Sequence, residues 1–366
     1  MRFQKTYVES LGYCVPDEIL SSDQIEDQLS PLYERLRLPP GRLELMTGIA
    51  ERRIWPVGML PSDKSIESGN LAIEAAGLDR SQIGVLIHAS VCRDHLEPAT
   101  ACRVHHELGL RKDCVIYDVS NACLGLLNGV LQIANMIELG QVRAGLVVGT
   151  EDSRHLLETT IKTLNADQNL TRSSIKLAVA SLTIGSASGA ILLCDEELSQ
   201  SRNKLHAGAV RANTDHHRLC HSGRDEAVDG GMQPLMQTDS EVLMREGIAT
   251  GVDTFESFKS NSQWAPDSID KTVCHQVGAA HRKAMLESLG IGIEKDFATM
   301  HWLGNTGSVA LPTALAIGAQ QRHFTNNDQV ALLGIGSGIN CVMLGMSWQK
   351  SLVGGTGQVP RHEGAL

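Results

Sequence analysis

Between Cys123 and Leu139 the apolar residues run nearly all the way round a helix instead of down one side. Leu124, Leu126, Leu127, Val130, Leu131, Ile133, Ala134, Met136 and Ile137 leave no clear face for water. Such a helix belongs in the interior, with protein packed on every side. Gly140 follows as its stop. A chain that buries a whole helix needs layers on both sides of it, and short apolar runs bounded by breakers supply them. Ile83–Ser90, Cys114–Ser120, Ala144–Thr150 and Gly189–Cys194 all predict strands.

The same order returns downstream. Lys271–His275 predicts a strand end and Ala279–Leu289 a helix stopped by Gly290. Ser308–Arg322 predicts a helix with Pro312 in its first turn, where proline is tolerated. Gln329–Ile335 and Asn340–Met346 predict two more strands. A helix followed by QVRAGLVVG matches a helix followed by NDQVALLGIG at an offset of roughly 185 residues, the spacing of a duplicated half. The chain, at 366 residues, has room for two. Residues 1–195 then form a first half, 196–245 a polar excursion, 246–348 a second half and 349–366 a flexible tail.

Composition excludes several function classes. Apolar residues make up 42% and charged residues 20%, which excludes a disordered or collagen-like chain. The net charge is −10 with no basic stripe, so nucleic acid is not an expected partner. No run approaches 18 apolar residues, so no membrane span is expected. The first residues lack the apolar stretch of a signal peptide. Nine cysteines, irregularly spaced and without a C-x-x-C pair, read as free thiols in a reducing cytoplasm.

Three positions could carry chemistry. Cys123 lies between a strand and the start of the buried helix, where unpaired N–H groups and the helix dipole are expected to lower a thiol's pKa. A small residue filling that corner is the alternative. His275 ends a strand and suits acid/base work, or a structural imidazole. Asn305, in Gly304-Asn305-Thr306-Gly307, suits a turn or helix cap. By the repeat offset, Cys123 and the Asn305–Ser308 corner fall at matching places, so two helix starts would face one cavity.

Taken together, Asn121-Ala122-Cys123-Leu124-Gly125, His275-Gln276-Val277, the G-N-T-G-S-V-A-L-P run from Gly304 and the Gly334–Asn340 loop GIGSGIN resemble the ketoacyl-acyl-carrier-protein synthase III branch of the thiolase superfamily. Thr47-Gly48-Ile49 with Arg52 and Arg53 is similar to a further stretch of that branch. Residues Arg93-Asp94-His95-Leu96-Glu97-Pro98-Ala99-Thr100-Ala101 resemble a segment of OleA-type thiolases, which join two fatty acyl-CoA molecules.

The resemblance implies a thiolase fold, a duplicated αβαβα sandwich with two mixed five-stranded sheets, and a homodimer. It implies Cys123 as nucleophile, with the backbone N–H groups of Cys123 and Ser337 as the oxyanion hole. His275 and Asn305 would hold the second thioester oxygen. Glu97 would take the α-proton, reaching the neighbouring subunit's site. A malonyl-dependent synthase needs no such base, because loss of CO₂ supplies its carbanion. The implied function is non-decarboxylative condensation to a 2-alkyl-3-oxoalkanoic acid, the first step of long-chain olefin synthesis. Decarboxylating synthase III activity with a malonyl thioester is the alternative. No cofactor and no metal are expected.

Two departures bear on recognition. Leu303 replaces the histidine usual before Gly304-Asn305, and no Trp/Arg pair for the CoA adenine precedes Thr47. An acyl-carrier protein therefore stays open as donor beside CoA. The run His216, His217, Cys220, His221 fits no standard zinc spacing and is expected to be ordinary loop. The Gly334–Gly338 loop is not a dinucleotide fingerprint.

Overall fold

The computed structural model describes residues 1–221 and 236–361. Ten strands make one sheet: β1 (Thr6–Cys14), β2 (Ile83–Ala89), β3 (Val115–Val119), β4 (Ala144–Glu151), β5 (Ala187–Asp195), β6 (Lys204–Ala212), β7 (Lys271–Cys274), β8 (Gln329–Gly336), β9 (Asn340–Ser347) and β10 (Val353–Thr356). The order across it is β7-β8-β9-β6-β1-β5-β4-β2-β3, with β10 beside β1. In the first half β3, β2 and β4 run parallel, and β5 and β1 follow antiparallel. The second half repeats the plan, with β7 parallel to β8, then β9 and β6 antiparallel. The halves meet edge to edge through one residue pair, Tyr7 with Lys204.

Two mixed five-stranded sheets were expected, and they join into one ten-stranded mixed sheet: five strands come from the first half, four from the second, and β10 pairs with β1 in parallel through Leu11–Cys14. That pairing also fixes residues 353–356 of the expected flexible tail. The expected polar excursion holds a central strand, β6, and the start of a long helix at Ser240. Lys204, His206 and Arg211 gave β6 a polar look, yet Leu205, Ala207 and Ala209 point inward. Residues 222–235 of the excursion and 362–366 of the tail lie outside the described residues.

Six helices frame the site: α1 (Pro61–Ala76), α2 (Thr100–Glu107), α3 (Gly125–Glu138), α4 (Ser240–Ser262), α5 (Ala279–Leu289) and α6 (Ala310–Gln320). The helix expected from Cys123 starts at Gly125, and Gly140 closes it with φ of 70°. Every residue of α6 from Ala310 to Ala319 is buried. α3 and α6 share one core with Ile87, Val147, Ile191, Leu332 and Leu344. Gly129 makes the close fit, since a Cβ there would come within 2.5 Å of the Val147 side chain on β4. Among the described residues, no helix is long and apolar enough to cross a membrane.

Candidate active site

Cys123 sits on the corner between β3 and α3. Ala122 takes the left-handed conformation, with φ of 44°, and the Leu124 N–H closes the turn on the Asn121 carbonyl at 2.9 Å. Cys123 therefore precedes the helix instead of opening it. This changes its acidity. Burial pushes the thiol up to about 12, the Glu151 carboxylate and Cys220 add to the rise, and the residue's own backbone N–H acts the other way. The expected lowering does not occur. The dipole acts mainly within the first turn, and desolvation outweighs it here.

The loop between β8 and β9 lies against this corner. A Cβ on Gly336 would be 3.5 Å from the Cys123 backbone nitrogen and 3.1 Å from Leu124 Cγ, so the end of β8 packs closely on the Cys123 turn. Asn340 Nδ2 donates to the Ser337 carbonyl at 3.0 Å and reaches Asn121 Oδ1 at 3.5 Å. Ser337 is thereby fastened to the turn that carries Cys123.

His275 follows the last residue of β7, and its N–H donates to the Leu333 carbonyl at 3.0 Å. With His281 it lines a tight pocket, whose other walls include Met285, Leu333, Gly334 and Ile335. Burial, with a smaller contribution from His281, holds its pKa down to about 3, so the ring is neutral. Gln276 Oε1 accepts the N–H groups of Thr299 at 2.9 Å and Met300 at 3.2 Å. Those residues open the short helix Met300–Leu303, which delivers Gly304 and Asn305.

Asn305 is held by its backbone, donating to Thr183 and accepting from Gly185, both at 2.9 Å. Its Oδ1 caps the turn by accepting the Gly307 N–H at 3.1 Å. Its Nδ2 makes no hydrogen bond among the described residues and is left to donate. A Cβ on Gly125, at the head of α3, would stand 3.7 Å from Ser308 Cβ beside the head of α6. The two helix starts lie side by side.

Glu97 is different. It is exposed, in the loop between β2 and α2, and makes no hydrogen bond or ion pair with any described residue. The loop's roots are firm: Asp94 accepts the Ser62 N–H at 2.9 Å, and Asp118 accepts those of Thr100 and Ala101 at 2.7 and 2.9 Å. Within one chain, Glu97 is not among the groups acting on Cys123. Glu151 and Cys220 are, and the sequence reading missed both. A lone carboxylate closing the apolar strand AGLVVGTE was the available signal for Glu151. His216 pairs with Glu246 at 3.3 Å, and His217 bonds the Thr214 carbonyl at 3.0 Å.

The chain is similar to known proteins over nearly all of its length. Residues 260–348 match the C-terminal family model of 3-oxoacyl-[acyl-carrier-protein] synthase III. The chain is 42% identical over 351 residues to the acyl-CoA:acyl-CoA alkyltransferase of Shewanella oneidensis, covering 95% of this chain and 100% of that protein. The protein of the same name from Xanthomonas campestris pv. campestris is 32% identical over 348 residues, covering 95% and 100%. Xanthomonas campestris OleA superposes with a TM-score of 0.89 at 32% identity, over 95% of this chain and 98% of that one. That protein has been solved with substitutions at a glutamate, a cysteine and a histidine, and with bound lauric acid and lauroyl-CoA.

Proposed function

The chain belongs to the OleA family of acyl-CoA:acyl-CoA alkyltransferases, acyltransferases of the thiolase superfamily, and on that premise we propose that it condenses two fatty acyl-CoA molecules head to head. The product is a 2-alkyl-3-oxoalkanoic acid, the starting point for a long-chain olefin. The observation that carries this reading is Glu97. In the OleA structures the substituted glutamate and cysteine stand 26 positions apart, the separation of Glu97 and Cys123 here.

Cys123 attacks the first acyl-CoA, its sulfur bonds the acyl carbon, and CoA leaves as a thiol. The backbone N–H groups of Cys123 and Ser337 hold the oxyanion. The second acyl-CoA then enters, and its thioester oxygen accepts from His275 and from Asn305 Nδ2. The neutral imidazole suits this, because one ring nitrogen carries a proton to donate. Glu97 removes the α-proton. The carbanion bonds the Cys123 acyl carbon and expels the Cys123 sulfur, and water cleaves the remaining thioester to acid and CoA. CoA is the substrates' carrier, and the chemistry calls for no resident cofactor.

A homodimer with Glu97 given in trans completes the reading. Two observations support it: Glu97 is exposed and engaged by no described residue, and β3, next to the Cys123 corner, is the outer strand of the sheet with Val115 46% exposed. Nine unpaired cysteines support a reducing, cytoplasmic setting.

The test gives the purified protein one long-chain acyl-CoA and no malonyl donor, beside Glu97→Ala. Sustained CoA release with a coupled β-keto acid, or the ketone left when it loses CO₂, supports condensation if the variant lacks it. A single burst that turns over only on adding a malonyl thioester would make the protein a decarboxylating synthase.

A further inference from the structure

Glu151 is the last residue of β4, only 5% exposed, and no step above uses it. Its carboxylate is nevertheless fully engaged. Oε1 accepts the Ser308 hydroxyl at 2.6 Å and the N–H groups of Val91 at 3.0 Å and Ser308 at 3.3 Å. Oε2 accepts the Cys92 N–H at 3.3 Å. Val91 and Cys92 open the loop that carries Glu97. Ser308 closes the corner that begins at Asn305. Gly307 gives the carboxylate room, since a Cβ there would lie 3.1 Å from Glu151 Cδ.

Resting on the condensation reading, we propose that Glu151 is a positioning residue of the reaction: its carboxylate fastens the base of the Glu97 loop and the Asn305 corner to the strand beside Cys123. The donors come from two segments distant in sequence. A carboxylate is acceptor-only and can take all four bonds, whereas an amide cannot keep all of them.

The same negative charge acts on the nucleophile, because Glu151 is the largest charge effect raising the Cys123 thiol after burial. The other titratable group acting on Cys123 is Cys220. Around Glu151 itself stand Cys92, Cys123 and the neighbouring Asp152. Glu151 thus links the arrangement of the two loops to the pH at which Cys123 reacts.

The test compares the full-length protein with Glu151→Gln and Glu151→Ala. Cys123 alkylation by iodoacetamide is followed against pH by mass spectrometry, and CoA release from a long-chain acyl-CoA is split into burst and steady state. Glu151→Gln keeps Oε1 for Val91 and Ser308 but removes the charge, so its alkylation profile moves to lower pH by about one unit. Glu151→Ala frees both loops, and kcat for condensation falls at least ~10-fold while the acylation burst and KM persist. A Glu151→Gln profile superimposable on the parent's overturns the proposal, as does parental turnover in Glu151→Ala. If the alanine variant does not fold, Glu151→Asp, which keeps the charge but shortens the reach to both loops, decides by the same kcat readout, and parental turnover overturns the proposal. Alkylation needs no acyl-CoA, so a parent that fails to condense counts against the condensation reading and leaves this test standing.

Discussion

Arg282 donates from Nε to the Asp296 carboxylate at 2.6 Å, and this ion pair holds the end of the strand that delivers His275. The Asp296 side chain is fully buried, and it also accepts the Cys274 N–H at 2.9 Å and the Thr272 hydroxyl at 3.0 Å. Removing Arg282 would strand a buried charge one residue from the site. Arg282→Met is expected to cost about 3–5 kcal/mol, read as a lower urea midpoint. Arg282→Lys should recover only part of this, because Nη2 also donates to the Asp296 carbonyl at 2.7 Å. An unchanged midpoint for Arg282→Met would refute this role for the pair.

His275 and His281 make the fold acid-sensitive. Burial holds their pKa values down to about 3 and about 4. Between those values and about 6.5 the unfolded chain binds protons at both sites while the folded chain does not, so stability falls as pH falls. Each imidazole contributes roughly 1 kcal/mol per pH unit in that window. His281→Leu should flatten the stability profile between about pH 6 and 4 by that amount. Urea unfolding at several pH values checks it, and parallel profiles for parent and variant would count against a buried neutral His281.

How far the sequence reached depends on what each feature leaves in it. The buried helices and most strands were legible, because apolar periodicity survives burial, and their ends moved by only a residue or two. β6 was not, since the polar Lys204, His206 and Arg211 disguise a buried row of Leu205, Ala207 and Ala209. Cys123, His275 and Asn305 could be singled out, but the direction of the Cys123 shift could not. That shift depends on burial and on Glu151, two effects a sequence does not display. Glu151 itself binds mostly backbone N–H groups, which every residue carries. Glu97 became a candidate only through family resemblance, because nothing described in its own chain engages it.

Glu97 separates acylation from condensation. Glu97→Gln keeps the loop's size and roots but removes the base, so steady-state CoA release should fall about 10²–10⁴-fold. The first CoA, released as Cys123 is acylated, should still appear as one burst per subunit, with the acyl group found on Cys123. Rapid-quench kinetics with intact-mass detection distinguish the two phases. Loss of the burst together with turnover would assign Glu97 to acylation or to folding instead.

Asn340 offers the sharpest test of the oxyanion hole, because its side chain joins the two segments that would form it. Its Nδ2 holds the Ser337 carbonyl at 3.0 Å and reaches Asn121 Oδ1 at 3.5 Å, while Asn121 Nδ2 donates to Asn128 Oδ1 at 2.7 Å. Asn340→Ala breaks this link but leaves Gly336 packed beside the Cys123 backbone nitrogen. One lost neutral hydrogen bond costs about 1 kcal/mol of stability, a small shift in the melting temperature. A misplaced oxyanion donor costs more in rate, so the acylation burst should slow about 10²-fold. Asn340→Asp restores an acceptor but not the donor, so it should be at least as slow. Equal slowing of acylation and stability loss far above about 1 kcal/mol would mean that Asn340 holds the sheet end. A slow burst in a protein that unfolds near the parental temperature would place the Ser337 N–H at the developing charge.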